Sequence, residues 1–499
     1  MHRGRASITS TAPTNIVDAR FDADCSIFAT STPHGFAVYK TNPLKLIRRR
    51  NLTGTISKIL PLHSTNLIFL VGGGRNPQYP PNKVILWDEA LGRVVGEIEF
   101  SEQVRGLACR RGTLVVALKR RVVQFEISPQ GIVKTREWDT CDNERGLVAL
   151  ATAEGSTLLI MPGPPGPNAG HVRLVHLKPC PPKPPPSPPP NTAPSKESTS
   201  SSSFAPPRDP VSIIKAHTTS LSCLAVTRSG RYLATTSSRG TLLRVWDTLN
   251  GQMVREFRRG ADQAFIYGIA FRPDEAEICV WSDKGTIHIF KIHDSEGAGN
   301  RVSAFSSLSA YLPKYVGSEW SYAEFRLPSS SKHIALSAAS AGTVIQAPDP
   351  DAAEEEKATV GWIQVSLPPS IPPPPPLSSS PSSKSSRRPS SSSSKPGTPQ
   401  QPPQPKTEYQ LIALAFSGGW YRLSPSPSST TASSSRSSSF GESGSVGRPG
   451  FFRGSPSVAS SRPTEKGKER AHNQERDEGK ARRKCQILEY KRFGEWDGW

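Results

Sequence analysis

The chain has 499 residues, of which 49 are Pro and 39 are Gly; 35% are hydrophobic, and the net charge is +20. These proportions exclude one uniformly folded globule, and no apolar run reaches the ~18–20 residues of a membrane span. The positive charge favours an anionic partner, such as nucleic acid, an anionic lipid or an acidic protein, without choosing among them.

In chain order, the apolar segments are short, alternate with polar residues and end at Gly, Asn, Asp or Ser, which predicts β-strands. No long helical periodicity competes with this pattern. The predicted strands are Ile27–Thr30, Gly35–Lys40, Leu67–Val71, Lys83–Asp88, Thr113–Lys119, Val122–Ile127, Leu158–Met161, Val172–His176, Leu233–Thr236, Leu242–Asp247 and Ile278–Trp281.

A repeat runs through these strands, because segments such as KVILWD, TLLRVWD and TIHIFK have a large residue just before a final Asp or Lys. Four of the six spacings between successive markers fall between 38 and 50 residues, near the WD40 period of about 40–45. The two longer spacings span insertions, so the count is seven, and we predict an all-β, seven-bladed β-propeller of the WD40 type. A β-sandwich with extra strands is the alternative. The markers are Tyr39, Trp87, Phe125, Val175, Trp246, Phe290 and Tyr421.

Three tracts rich in Pro, Ser and charge interrupt the repeat, and their composition predicts long disordered insertions. Blades 1–4 are assigned to residues 10–178, and blades 5–6 with the start of blade 7 to 211–366. A blade-7 strand follows at 407–424, and the C-terminal strand and tail at 485–499. The predicted insertions are 179–210, 367–406 and 425–484.

Seven scattered cysteines without a C-x-x-C motif suggest neither a disulfide framework nor a zinc site, and a reducing compartment fits them. The N-terminal MHRGRASITS lacks the apolar core of a secretory signal. We expect a cytosolic protein with no metal and no cofactor, whose membrane contact is peripheral. P-loop, H-E-x-x-H, G-x-S-x-G and dinucleotide motifs are absent from the sequence, so we expect no enzyme.

Two turns repeat a pattern suited to phosphate, Ser-x-(Arg/Lys)-Gly-Thr followed by a basic residue. Hydroxyl donors, an Arg fork or Lys charge, and a Gly that allows close backbone approach together suit an anion. Ordinary turn chemistry remains the alternative. The residues are Ser237, Arg239, Thr241 and Arg244 in the first turn, and Ser282, Lys284, Thr286 and His288 in the second.

Between these turns lies Phe257-Arg258-Arg259-Gly260. Successive side chains of a strand point to opposite faces, so the two arginines cannot both serve one site. They are either a solvated charge pair at a turn or members of two separate anion sites.

This four-residue segment resembles the F/L-R-R-G signature of the PROPPIN family, seven-bladed propellers that bind phosphoinositides during autophagy. The segments LVGGGRNPQYPPNKVILWD (70–88) and LSAYLPKYVGSEWSYAEFRLP (308–328) also resemble that family. The resemblance implies two sites for phosphatidylinositol 3-phosphate or the 3,5-bisphosphate. It assigns His217, Ser237, Arg239, Thr241, Arg244 and Arg258 to site 1, and Arg259, Ser282, Lys284, Thr286 and His288 to site 2. A histidine beside phosphate protonates readily, which predicts tighter binding in mildly acidic solution.

A further segment, RVSAFSSLSAYLPKY, places Phe305, Leu308 and Leu312 at helix-like spacing, which is typical of an amphipathic membrane contact or of a loop packed on its blade. The resemblance favours a membrane-insertion loop of Phe305, Leu308, Tyr311 and Leu312. Two pockets and a loop on one membrane would strengthen one another.

The resemblance also implies a partner, the bridge-like lipid-transfer protein of autophagy, with Asp22 and Asp24 as candidate contacts or as acidic caps of a turn. We expect a monomer that acts on vacuolar, endosomal, vesicular or pre-autophagosomal membranes. A generic WD40 scaffold without lipid binding is the main alternative. Nucleic-acid binding ranks third, because aromatic side chains do not line a basic strand.

Overall fold

In a computed structural model the protein forms a ring of seven mainly antiparallel sheets, a seven-bladed β-propeller. The structure describes residues 15–166, 169–183, 212–293, 300, 318–328, 356–366, 407–425 and 483–494. Within these ranges, no helix is long and apolar enough to span a bilayer.

The first three blades are each built from four strands that follow one another along the chain. Blade 1 contains β1 (Asp18–Phe21), β2 (Ile27–Thr32), β3 (Gly35–Lys40) and β4 (Lys45–Asn51). Blade 2 contains β5 (Ile56–Pro61), β6 (Leu67–Gly72), β7 (Lys83–Asp88) and β8 (Arg93–Glu99). Blade 3 contains β9 (Gly106–Arg110), β10 (Thr113–Ala117), β11 (Arg121–Ser128) and β12 (Gly131–Asp139).

Blades 4 to 7 contain the insertions, and two of them gain a fifth strand. Blade 4 contains β13 (Ala149–Leu150), β14 (Leu158–Pro162), β15 (His171–His176) and β16 (Ser212–Lys215). Blade 5 contains β17 (Leu221–Val226), β18 (Tyr232–Ser237), β19 (Leu242–Asp247), β20 (Met253–Arg258) and β24 (Glu319–Trp320). Blade 6 contains β21 (Ile266–Phe271), β22 (Glu277–Ser282), β23 (Thr286–Lys291), β25 (Ala323–Arg326) and β29 (Arg483–Lys484). Blade 7 contains β26 (Ala358–Ser366), β27 (Thr407–Ala415), β28 (Gly419–Ser424) and β30 (Gln486–Arg492).

The core lies between neighbouring blades, where apolar faces of successive sheets meet. Each of the seven repeat markers lies in the third strand of its blade and is buried. Phe257 of blade 5, for example, stacks on Phe290 of blade 6 with ring centroids 4.8 Å apart. The ring closes between blades 7 and 1, where the Thr359 hydroxyl donates to the Ala19 carbonyl at 3.0 Å. The repeat in the sequence therefore reflects one large residue per blade that fills the space between sheets.

The predicted division of the chain differs from the structure at two insertion ends. Ser212–Lys215 pairs with β15 and completes blade 4, whereas the sequence assigned 211–366 to later blades. Arg483–Lys484, assigned to the third insertion, pairs in parallel with β25. Composition marks where Pro and Ser begin and end, but only backbone pairing decides which sheet the returning strand joins.

The segment after β15 also stays on the propeller beyond residue 178, where the sequence placed the first insertion. The Cys180 N–H donates to the Ser156 carbonyl at 2.8 Å, and Arg111 Nε donates to the Pro181 carbonyl at 2.9 Å.

Candidate anion-binding site around blades 4 to 6

The two predicted turns occupy equivalent places, each joining the second and third strands of its blade. Four residues separate Ser237 from Leu242 in blade 5, but three separate Ser282 from Thr286 in blade 6. Leu242 and Thr286 both begin a third strand and pair with the fourth, opposite Arg258 and Arg326. Thr241 and Thr286 therefore have the same spacing from Ser237 and Ser282 but different structural positions. Thr241 lies in the turn, whereas Thr286 is the first residue of the third strand.

The blade-5 turn depends on Gly240, whose φ of +63° favours glycine. A Cβ at this position would lie 2.0 Å from the Ala264 carbonyl oxygen, so no larger residue fits without a backbone shift. The turn is thereby held against the loop that follows Arg258 and Arg259.

The two arginines lie on opposite faces of blade 5. Glu256, on the same face as Arg258, binds Arg244, whose Nη1 donates to the Ala216 carbonyl just after blade 4 at 2.6 Å. Phe257, on the face of Arg259, packs against blade 6. Side chains alternate along the strand, so Arg258 faces blade 4 and Arg259 faces blade 6.

Arg259 is buried and is bonded to the backbone. Its N–H continues the ladder to the Thr241 carbonyl at 2.9 Å, Nε donates to the Gly240 carbonyl at 2.7 Å, and Nη2 donates to the Asp262 carbonyl. Burial lowers the pKa of Arg259, and the nearby carboxylates of Asp283 and Asp262 offset part of that effect. This guanidinium joins the blade-5 turn to the following loop, and neither side-chain bond uses Nη1.

Arg258 is half-buried, and its guanidinium carbon lies 5.4 Å from the centroid of the Trp320 ring. Trp320 is also its backbone neighbour, because β24 pairs in parallel with β20. Sequence reasoning did not assign Trp320 to the site, since its segment lies between the third and fourth strands of blade 6 and only the fold returns it to blade 5.

His217 belongs to a hydrogen-bonded trio within blade 5. Its Nε2 lies 2.9 Å from the Thr235 hydroxyl oxygen, which also accepts the Trp246 indole N–H at 3.0 Å. Burial, followed by the charge of Arg244, lowers the pKa of His217 to about 4. Both effects oppose protonation of His217 in mild acid, because the ring is desolvated beside a cation.

Arg244 and His288 occupy equivalent third-strand positions, and each faces an acid on the next strand. Arg244 Nε donates to Glu256 Oε2 at 2.8 Å, and His288 Nδ1 lies 4.0 Å from Glu324 Oε2 and 3.2 Å from the Ser321 hydroxyl. Sequence reasoning missed both acids, although Glu256 lies two residues from Arg258. The ion pair between Arg244 and Glu256 neutralises part of the positive charge of the first candidate site.

The cations most open to solvent are those of the turns, Arg239 and Lys284, which are both exposed. Lys284 Nζ lies 3.8 Å from an Asp283 carboxylate oxygen. An exposed ion pair at this distance is weak, so a competing anion can replace the carboxylate. Ser237 and Ser282 are buried at the ends of β18 and β22, and Thr241 and Thr286 are half-buried. Each turn thus has one exposed cation beside hydroxyl groups. Arg258 belongs with the turn of Arg239, and Arg259 belongs with the turn of Lys284.

The remaining predicted residues lie elsewhere. Phe305, Leu308, Tyr311 and Leu312 fall outside the residues that the structure describes.

Asp22 is 6% exposed, and its carboxylate accepts bonds from the Ile27 N–H at 3.2 Å and the Ser26 hydroxyl at 3.2 Å, with His63 Nδ1 at 2.8 Å. Burial raises the pKa of Asp22. These contacts give Asp22 a turn-forming role, whereas the side chain of Asp24 is partly exposed.

Comparisons with known proteins agree with this architecture. A PROPPIN family model matches residues 207–339, which include both turns and both arginines. The SVP1-like protein 2 of Pichia angusta is 31% identical over 335 residues, which cover 65% of this chain and 84% of that protein.

The chain belongs to the PROPPIN family. The Autophagy-related protein 18e of Arabidopsis thaliana is 29% identical, over 64% of this PROPPIN and 77% of the plant protein. Among solved structures, Kluyveromyces lactis Hsv2 has the same fold, with a TM-score of 0.50, 20% identity, and coverage of 82% of this chain and 93% of that chain.

Proposed function

We propose that this PROPPIN binds membranes marked with phosphatidylinositol 3-phosphate or the 3,5-bisphosphate, through one site on each side of blade 5. The observation that carries the proposal is the divergence of Arg258 and Arg259 towards blades 4 and 6, each beside a turn with an exposed cation. Arg donates a planar fork of N–H groups to phosphate oxygens, and Lys supplies a compact charge. The protein acts by binding and not by catalysis, as a peripheral effector in autophagy or in vacuolar and endosomal traffic.

Family membership supports this proposal, because the matched family segment contains the complete Arg258–Arg259 region. The proposal also covers the bridge-like lipid-transfer partner, for which Asp24 is the better candidate contact, since Asp22 is buried and bonded within its turn.

Vesicle flotation tests the lipid proposal. We expect the wild-type protein to float with vesicles that contain a 3-phosphorylated phosphoinositide, and the variant Arg239→Thr/Lys284→Thr to lose at least about tenfold in affinity, since each charged hydrogen bond contributes ~1.5–3 kcal/mol. These two side chains are exposed, so their loss leaves the buried contacts intact. Arg258→Thr/Arg259→Thr is expected to remain at the bottom of the gradient, and circular dichroism checks its folding.

The matched control is Arg48→Thr/Arg93→Thr, which removes two exposed charges from the outer strands of blades 1 and 2. Equal losses in the control and in Arg239→Thr/Lys284→Thr would indicate a general charge effect. Absence of flotation by the wild-type protein would favour a protein-interaction scaffold.

A further inference from the structure

A short foot, residues Ser318 to Trp320, connects the end of segment 301–317 to the outer edge of blade 5. Glu319 and Trp320 form β24, which pairs in parallel with β20 through Phe257 and Arg258. The chain then enters blade 6 at β25. The foot therefore adds a strand to blade 5, although in the sequence it lies between two strands of blade 6.

Side-chain bonds hold the foot against the face of blade 5 that carries Arg258. The Ser318 hydroxyl donates to Glu256 Oε1 at 2.7 Å, and the other oxygen of that carboxylate accepts from Arg244 Nε at 2.8 Å. Glu256 thereby joins the foot to a predicted site-1 residue. The Glu256 carboxylate is charged, so its bonds to Ser318 and Arg244 are stronger than hydrogen bonds between neutral groups.

A second set of bonds fixes Glu319. Arg255 Nη1 donates to Glu319 Oε1 at 3.0 Å, and Asn300 Nδ2 donates to Glu319 Oε2 at 2.7 Å. Asn300 Nδ2 also donates to the Lys291 carbonyl at 2.6 Å. Residues on both sides of segment 301–317 therefore meet at one carboxylate beside β20.

The position of Trp320 matters most for Arg258. The ring faces the guanidinium carbon at 5.4 Å, and such a contact attracts the cation through the π face. This contact therefore helps to hold the Arg258 guanidinium beside β24, at the outer edge of blade 5.

We propose that the foot is a positioning element for Arg258, in which Trp320 holds the guanidinium in place and the Ser318–Glu256–Arg244 chain fixes the strand of Trp320. Arg244 then contributes by holding Glu256. This inference rests on the proposed function and names the residues that prepare its first site.

The test uses isothermal titration of the full chain with soluble dibutanoyl phosphatidylinositol 3-phosphate, so that membrane insertion does not contribute. Trp320→Leu is expected to weaken binding about fivefold, and Trp320→Phe, which keeps an aromatic face, less than about twofold. In an Arg258→Gln background, Trp320→Leu is expected to cause no further loss, because the group that it positions is gone.

Three results would overturn the inference: unchanged affinity in Trp320→Leu, equal losses in the Leu and Phe variants, or the same loss in the Arg258→Gln background. Ser318→Ala gives a second, smaller change, with an expected loss of about threefold; it decides the matter if Trp320→Leu does not fold. If the wild-type protein fails to bind both the soluble lipid and vesicles, the proposed function itself fails, whereas wild-type binding with unaffected foot variants removes only this inference.

Discussion

The two sides of blade 5 differ although their sequences repeat. On the side of blade 4, Arg258 is half-buried against Trp320, and its neighbours form a chain of hydrogen bonds. On the side of blade 6, Arg259 is buried and donates to two backbone carbonyls. These adjacent arginines therefore have different structural roles. Arg258 packs against the ring of Trp320, whereas Arg259 binds the backbone of the blade-5 turn and of the following loop.

The turns between the second and third strands of blades 5 and 6 also differ. Blade 5 has one more residue between its second and third strands, and beneath that turn lies the His217–Thr235–Trp246 trio. Val280 and Phe290 take the places of Thr235 and Trp246 in blade 6 and offer no polar side-chain atom. Blade 5 is thus held partly by buried polar contacts, and this part of blade 6 mainly by apolar packing.

The largest expected effect separates the two arginines by stability. Arg259→Ala should lower the free energy of unfolding by about 3 kcal/mol, because two carbonyl groups lose charged donors at a buried position. Arg258→Ala should lower it by a smaller amount, because Arg258 is half-buried whereas Arg259 is buried. Urea unfolding of both variants measures the difference, and similar values for the two would mean that the contacts of Arg259 are not maintained in solution.

The second expected effect is a pH dependence that belongs to blade 5. The pKa of His217 in the folded protein, about 4, lies below the ordinary value of 6.5. Between these values the unfolded chain binds a proton that the folded chain does not, so stability is complete above pH 6.5 and falls as the pH drops towards 4. The expected loss is about 2–3 kcal/mol over this interval.

His217→Gln provides the comparison, since glutamine does not titrate but can still bond to Thr235. The wild-type protein should lose about 2 kcal/mol of its advantage over this variant between pH 7 and pH 4.5, measured by urea unfolding. Parallel pH curves for the two proteins would contradict the neutral, buried state of His217.

The fold could be predicted from the sequence because each blade contains one large buried residue, and these residues recur at similar spacing along the chain. Tyr39 and Phe290 are examples, and each lies in the third strand of its blade. The opposite directions of Arg258 and Arg259 also followed from strand alternation alone. These features depend on local periodicity, which a sequence displays directly.

The parts that the sequence did not predict depend on contacts between distant segments. Trp320 reaches Arg258 only because β24 returns to blade 5, and the one-residue difference between the turns is visible only in the strand register. His217 was assigned to a phosphate site through the family resemblance, but burial and the charge of Arg244 lower its pKa in the folded protein. Charge state and pairing are properties of the packed structure, so residue identity alone could not supply them.

The smallest expected effect compares the exposed cations of the two turns. Arg239→Lys should weaken flotation on vesicles with 3-phosphorylated lipid about twofold to threefold, because a planar two-bond fork is replaced by a point charge. Lys284→Arg should change it by less than about twofold, since the charge is retained and the position is exposed. Equal effects of the two changes would mean that only net charge acts at these turns, and the difference between blades 5 and 6 would then lie in the buried arginine alone.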